Sequence, residues 1–587
     1  MTDTIPIFFG GSRHIAGRFL RGAHNVGARS CAVLLCPPIG HEYMCSHGAF
    51  RRLSQDLATQ GFAVLRFDYY GTGDSSGPQD NSSLLPAWIE SLSLAADELR
   101  HRSGADTLAI VALRFGAILA ATAIADRVDV SSLVLWSPCT SGRSLIRQTR
   151  MLAMSAAEHP GDLALEAVGI ESAGFLLGAA TVADISGMSM LDGAAYSVKN
   201  ALILTRADGQ PEQRLVAALA AAGVSPEEQT YENDAEFMVS PLHSVLPTGA
   251  INTIVQWLGE KYPSIEDTTA SLPVVPGATS VRFADGTCES AVTFSDGRLV
   301  GILVTPNTDS ENPAVVLLNT GADHRVGPHR MYVPLARRWA SLGFPVLRFD
   351  LAGIGDSDSN DGLSRNESYP TSALHDVDDA IAYMRDDRRY SHVILAGMCS
   401  GAYHAIHGAG SRVDGVIAVN PPLYYRPGDP IDDDPYTNEA ETRRVTRALR
   451  SPSKWRRLLS GRVDIGYTFS VLTGRAGVAT RAIGAASRRL LTRRKPESHD
   501  VTTFFKHGVA MHLIFSEGDA SQIFFERAIA PQLGRSSLRE DFTIDIVPGA
   551  DHTFMPIRWQ RTLAELMTKR LLHHLATNPA PIRPPLE

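Results

Sequence analysis

Short runs of Val, Ile, Leu and Ala recur along the chain, each followed by a polar loop and a stretch of helical periodicity. In the second half they are Ala314 to Leu318, Val346 to Asp350, Val393 to Ala396, Val416 to Asn420 and His512 to Ser516. These runs are apolar at almost every position, so both faces of each strand need cover. That pattern predicts an α/β fold, a parallel sheet between layers of helix. Around Val281 and Val300 the apolar residues alternate instead, which predicts antiparallel edge strands.

The pattern occurs twice. Gly61 to Asp68, GFAVLRFD, returns as Gly343 to Asp350, GFPVLRFD, and the following GTGDS (Gly71 to Ser75) returns as GIGDS (Gly353 to Ser357). The same offset of 282 residues (Gly61 to Gly343) maps Val33 onto Val315 and His47 onto His329 without a gap. A period this long is a domain duplication rather than a solenoid. The expected organisation is a first domain over 1–261, a Pro-, Ser- and Thr-rich linker over 262–280, a second domain over 281–576 and a Pro-rich, disordered tail over 577–587.

Between the run ending at Ala396 and the helical stretch from Ala402 lies Gly397-Met398-Cys399-Ser400-Gly401. A glycine-flanked residue between strand and helix is the nucleophile-elbow pattern, usually written G-x-S-x-G, and here cysteine holds the centre. A thiol nucleophile needs a base within hydrogen-bond reach and a carboxylate to orient that base. His552, in VPGADH (Val547 to His552), and Asp519, closing LIFSEG (Leu513 to Gly518), are the candidates. Glu517 and Asp551 are the neighbouring alternatives. In the first copy the equivalent pentapeptide is Ala112-Leu113-Arg114-Phe115-Gly116. A guanidinium offers no nucleophile. Asp208 keeps the acid position, but Asp234 to Met238 contains no histidine, and His243 lies further on. This copy is expected to be catalytically inactive. For Arg114 two roles are open, an anion site at a helix N-terminus or an ion pair with Asp208.

At this point the chain resembles the alpha/beta-hydrolase superfamily over nearly all of both halves, in the order nucleophile, acid, histidine. The resemblance implies two tandem alpha/beta-hydrolase domains, the second with a helical cap over about 424–505. It implies one oxyanion donor from the backbone N–H of Ser400. A second is expected from Gly321 or Ala322 in the loop Asn319 to Arg325, where His324 and Arg325 would line the pocket. The motifs NTGADHRVGPHR, LAGIGDS, GMCSGAY and SPSKWRRLLSG resemble cysteine-bearing alpha/beta-hydrolase proteins associated with nonribosomal peptide and polyketide assembly. CPPIGHEY and RFDYYGTGDSSG in the first copy resemble a companion group that also lacks the serine.

Composition narrows the readings. With 44% apolar and 20% charged residues, both domains can bury ordinary cores. The six cysteines form no C-x-x-C pair, which favours a reducing compartment and a free Cys399. No signal peptide is evident and no segment is long enough to span a bilayer, so a cytoplasmic chain without membrane contact is expected. Net charge is −8, yet Arg443 to Lys495 carries fifteen basic residues, Arg456 and Arg457 among them, against one acid, Asp464. That segment predicts an anionic partner, without support for nucleic acid. Thiolate attack on a thioester exchanges one thioester for another, whereas attack on an oxygen ester leaves the thiolate as the better leaving group. The expected substrate is an acyl or aminoacyl group on coenzyme A or on the phosphopantetheine of an acyl or peptidyl carrier protein, with no cofactor or metal of the enzyme's own. Transfer is favoured over hydrolysis by a thioesterase or ester hydrolase; a non-catalytic scaffold is the reading of another class. The inactive copy is expected to pack against the active one or to form a homodimer interface.

Overall fold

A computed structural model describes residues 4–577 except 24–26, 79–82, 126, 157–168, 192–196, 208–211, 233–236, 266–276, 360–365, 371, 426–508 and 534–540. Most of the linker, the cap with Arg456 and Arg457, and the tail beyond Thr577 lie outside the described residues. The chain forms two compact units. The first gathers Met1–Ser310, Asn319–Ser368 and Met555–Ala564; the second gathers Glu311–Leu318, Tyr369–Phe554 and Glu565–Glu587.

In the first unit eight strands form one sheet in the order Thr4–Phe9, Ile15–Leu20, Val64–Phe67, Cys31–Cys36, Thr107–Leu113, Val130–Trp136, Asn200–Arg206 and Ser225–Tyr231. The first three pair antiparallel and the rest parallel. Cys31–Cys36 shows why the parallel part reads as a continuous apolar run. Ala32, Leu34 and Cys36 enter one hydrophobic cluster and Cys31, Val33 and Leu35 the other, so each face has its own core. The unit also contains Ser280–Arg282, Cys288–Phe294, Leu299–Thr305 and Val346–Asp350, antiparallel in succession, as the alternation near Val281 and Val300 predicts.

In the second unit Ala314–Leu318, Val393–Met398, Gly415–Val419, Ala510–Ser516 and Phe542–Val547 lie side by side, every neighbour parallel. Four of them are the apolar runs of the sequence, and all five residues of Ala314–Leu318 are buried. The helix Ser400–His407 follows Val393–Met398 directly and packs back on that strand. The parallel strands end at the same edge, which places Cys399, Asp519 and the loop of His552 together.

Candidate active site

Cys399 stands between strand and helix with φ 53° and ψ −118°, a backbone state L residues rarely adopt. Two contacts hold it there: its N–H donates to the Val419 carbonyl at 2.9 Å, and its carbonyl accepts from the Tyr403 N–H at 3.0 Å. Gly397 is required by space, since a Cβ there would lie 2.5 Å from the Gly401 carbonyl carbon. The side chain is thereby lifted off the strand to the start of the helix.

His552 accompanies it. Its Nδ1 lies 2.7 Å from Asp519 Oδ2, and Asp519 Oδ1 accepts from the Ser521 N–H at 2.8 Å. The carboxylate side chain is 9% exposed and the imidazole 39%. The other imidazole nitrogen is left for the thiol, which is a hydrogen-bond partner of His552. Glu517 is exposed and Asp551 accepts from Thr553 Oγ1 at 3.3 Å, so Asp519 is the carboxylate on the histidine.

The electrostatics follow from this geometry. Burial alone would push the Cys399 thiol up, yet its pKa is lowered, because His552, the Tyr369 hydroxyl and the Ser400 N–H all favour the thiolate. Burial would lower His552, but Asp519 and the thiolate raise it well above its ordinary value. Burial would likewise raise Asp519, and the imidazolium with the Ser521 contacts holds it low. The resting state this favours is a thiolate–imidazolium pair.

Two residues of the site carry no sequence signal of their own. Tyr369 places its hydroxyl 3.6 Å from the Cys399 sulfur while its ring stacks on Tyr425 at 4.2 Å and meets Tyr403 edge-on at 5.4 Å. Asn420 holds the histidine loop: its Nδ2 donates to the His552 carbonyl and to Ser516 Oγ, both at 2.8 Å, and its Oδ1 accepts from the Ser516 N–H at 2.8 Å. The one available hint was position. Asn420 ends an apolar strand, where a polar side chain needs buried partners.

Ser400 follows the thiol at the helix start, with its N–H on the Cys399 sulfur. Gly321, at φ 55° with nothing within 4 Å of a would-be Cβ, and Ala322 are half-buried residues of the first unit. His324 and Arg325 belong to that unit too. His324 stacks on His47 at 4.1 Å, and the Arg325 guanidinium is engaged by Asp74, Asp350 and Asp356 at 2.7, 2.6 and 3.0 Å. The Arg325 guanidinium is thus committed to internal carboxylates.

In the first copy Arg114 adopts φ 54° and ψ −118°. Its Nε donates to Glu42 Oε1 at 3.0 Å and its Nη2 lies 3.4 Å from Gln148 Oε1. The ion pair the sequence suggested therefore has Glu42 as its carboxylate, and Asp208 lies outside the described residues. At the histidine position Phe237 is buried in the core, and His243 is exposed, 3.0 Å from Ser240 Oγ. Among the described residues no group of three His, Cys, Asp or Glu side chains converges as a metal would require. None of the described helices is long and apolar enough to cross a membrane.

The alpha/beta hydrolase family model matches residues 315–566, and the serine aminopeptidase S33 model matches residues 38–164. Both halves are of the alpha/beta-hydrolase type. The match over 315–566 spans Cys399, Asp519 and His552, and the match over 38–164 spans Arg114, so a hydrolase-type frame surrounds both elbows. No curated protein matches. Solved structures similar to the chain include a putative alpha/beta hydrolase of unknown function from Agrobacterium tumefaciens (14% identity, 50% of this chain and 100% of that one, TM-score 0.29). Others are a serine hydrolase without a lid from Xanthomonas campestris (13%, 45% and 96%, 0.29) and an esterase from Pyrococcus furiosus (15%, 48% and 91%, 0.28).

Proposed function

We propose that the second hydrolase domain moves an acyl or aminoacyl group from a thioester through an acyl-Cys399 intermediate. The observation that carries this reading is a cysteine, not a serine, at the strained elbow with His552 and Asp519 aligned behind it at 2.7 Å. The Cys399 thiolate attacks the thioester carbonyl, and a tetrahedral oxyanion forms beside the Ser400 N–H. Its collapse expels the donor thiolate, which takes the proton held on His552. The acceptor thiol, amine or hydroxyl then gives its proton to His552 as it attacks the acyl-cysteine, and the thiolate leaves. Donor and acceptor are read as coenzyme A or carrier-protein phosphopantetheine arms, with the basic segment Arg443 to Lys495, Arg456 and Arg457 included, meeting an acidic carrier.

Hydrolysis has a specific observation in its favour: the His552 side chain is 39% exposed, so water can reach the base that would activate it. Incubation of the enzyme with a loaded donor carrier and an empty acceptor carrier separates the two. Transfer predicts label on the acceptor carrier. Free acid as the sole product would replace transfer by thioester hydrolysis.

A further inference from the structure

The strand sequence VLRFD occurs in both copies and carries a charged residue where a buried strand should be apolar. Arg66 and Arg348 are these residues, 8% and 0% exposed, and both lie in the first compact unit together with the turns that follow them. Buried guanidinium groups need carboxylates. Each finds its shortest ion pair in the other copy, and Arg348 also meets Glu289 of its own copy at 3.3 Å. Arg66 of copy one binds Asp356 of copy two at 2.7 Å, and Arg348 of copy two binds Asp74 of copy one at 2.7 Å. Arg348 and Asp356 are the equivalents of Arg66 and Asp74 at the offset of the repeat (Gly61 to Gly343).

The exchange extends to the backbone. Arg51 donates to the Gly355 and Ser357 carbonyls at 3.0 and 2.7 Å. Arg330 donates to the Gly73 and Ser75 carbonyls at 2.8 and 2.7 Å, and these two are the equivalents of Gly355 and Ser357. Arg51 and Arg330 are not equivalent to each other. Arg330 corresponds to Gly48, three residues from Arg51, so two different positions have arrived at the same clamp. Met44 and its own equivalent Val326 share one small hydrophobic cluster, as residues beside a two-fold axis do. A surface on which residue i meets j while the equivalent of j meets the equivalent of i is isologous, the hallmark of a symmetric dimer.

We propose that copy one is a built-in partner subunit: the two copies bind each other through an isologous surface centred on Arg66, Asp74, Arg348 and Asp356, and this surface, not the connecting segment, keeps them together. The inactive copy then has a purpose that does not depend on its empty elbow. It holds the GIGDS turn of the active copy through Arg51, and its own GTGDS turn is held in return by Arg330.

Two measurements on the full-length protein test this. A protease recognition sequence inserted at Thr268–Ser271 allows the chain to be cut between the copies. The expected result is that both fragments elute as one particle at the mass of the intact chain, and fragments that separate at moderate salt would overturn the proposal. Hydrogen exchange then tests reciprocity. Arg51→Met should lower protection at Gly353–Asp358 by about tenfold and leave Gly71–Ser76 unchanged, while Arg330→Met does the reverse. Lysine at each position, which keeps the charge but loses the paired donors, should give the same pattern more weakly and serves if the methionine variants fold poorly. Loosening of a variant's own turn, or of both turns equally, would rule out the exchanged clamp.

Discussion

At Cys399 the strand Val393–Met398 turns into a helix at φ 53° and ψ −118°; at Arg114 the strand Thr107–Leu113 does so at φ 54° and ψ −118°. Both positions are strained by about 1–3 kcal/mol in such a state. Only one has a nucleophile to justify it. The turn therefore belongs to the fold and not to the chemistry. In copy one it persists because Gly116 lets the helix approach so closely that a Cβ there would lie 2.6 Å from the Cys36 carbonyl oxygen. What distinguishes the two is what stands around the raised side chain. Cys399 has His552, Asp519 and Tyr369; Arg114 has Glu42 and Gln148. Backbone strain marks where catalysis can be installed, and the side chains decide whether it has been.

The comparison can be broken first at the base. His552→Ala should cost about 10⁴-fold in kcat, and Asp519→Asn about 10²–10⁴-fold, because the imidazole loses its orientation and its raised basicity. If either variant kept near-normal turnover, the triad would not be the catalytic unit. Tyr369→Phe should cost less, about tenfold in kcat/KM, as one hydrogen bond to an ionised sulfur is lost. An unchanged rate would return Tyr369 to a packing role beside Tyr403 and Tyr425.

The cysteines differ in a measurable way as well. Burial pushes Cys31 and Cys45 up to about 12 and Cys139 up to about 11, whereas Cys399 is lowered from its ordinary 9.0. A lowered pKa means that the thiolate persists as pH falls below 9.0 and is lost only below the shifted value. Iodoacetamide at neutral pH should therefore label Cys399 well before the other three, and His552→Ala should move its rate profile towards higher pH. Equal labelling would favour a scaffold with a vestigial thiol. The smallest effect is expected at Arg114. Arg114→Ala removes a partly exposed ion pair, both side chains 28% exposed, and should cost under about 1 kcal/mol with kinetics unchanged. Reduced substrate or carrier binding in that variant would instead make Arg114 an anion site.

Much of the site was legible because its signals are local. A glycine-flanked cysteine, an aspartate closing a strand and a histidine after the next one are each bound to a strand end, and apolar runs locate those ends. Tyr369 and Asn420 were not legible, since their roles depend on where a loop and a neighbouring strand meet in space. The buried arginines are an intermediate case. Arg66 and Arg348 announced themselves as charges inside apolar strands, but no spacing could say that their carboxylates would come from the opposite copy. The carboxylates around Arg325 were hidden for the same reason: a loop position gives no sign of three of them converging on it.

The central claim is that Cys399 forms a covalent acyl-enzyme, and intact-mass measurement after brief exposure to an acyl-thioester donor tests it most directly. One acyl increment is expected on the wild-type chain, mapped to the peptide containing Cys399, and none in Cys399→Ala. An equal increment persisting in Cys399→Ala would contradict it.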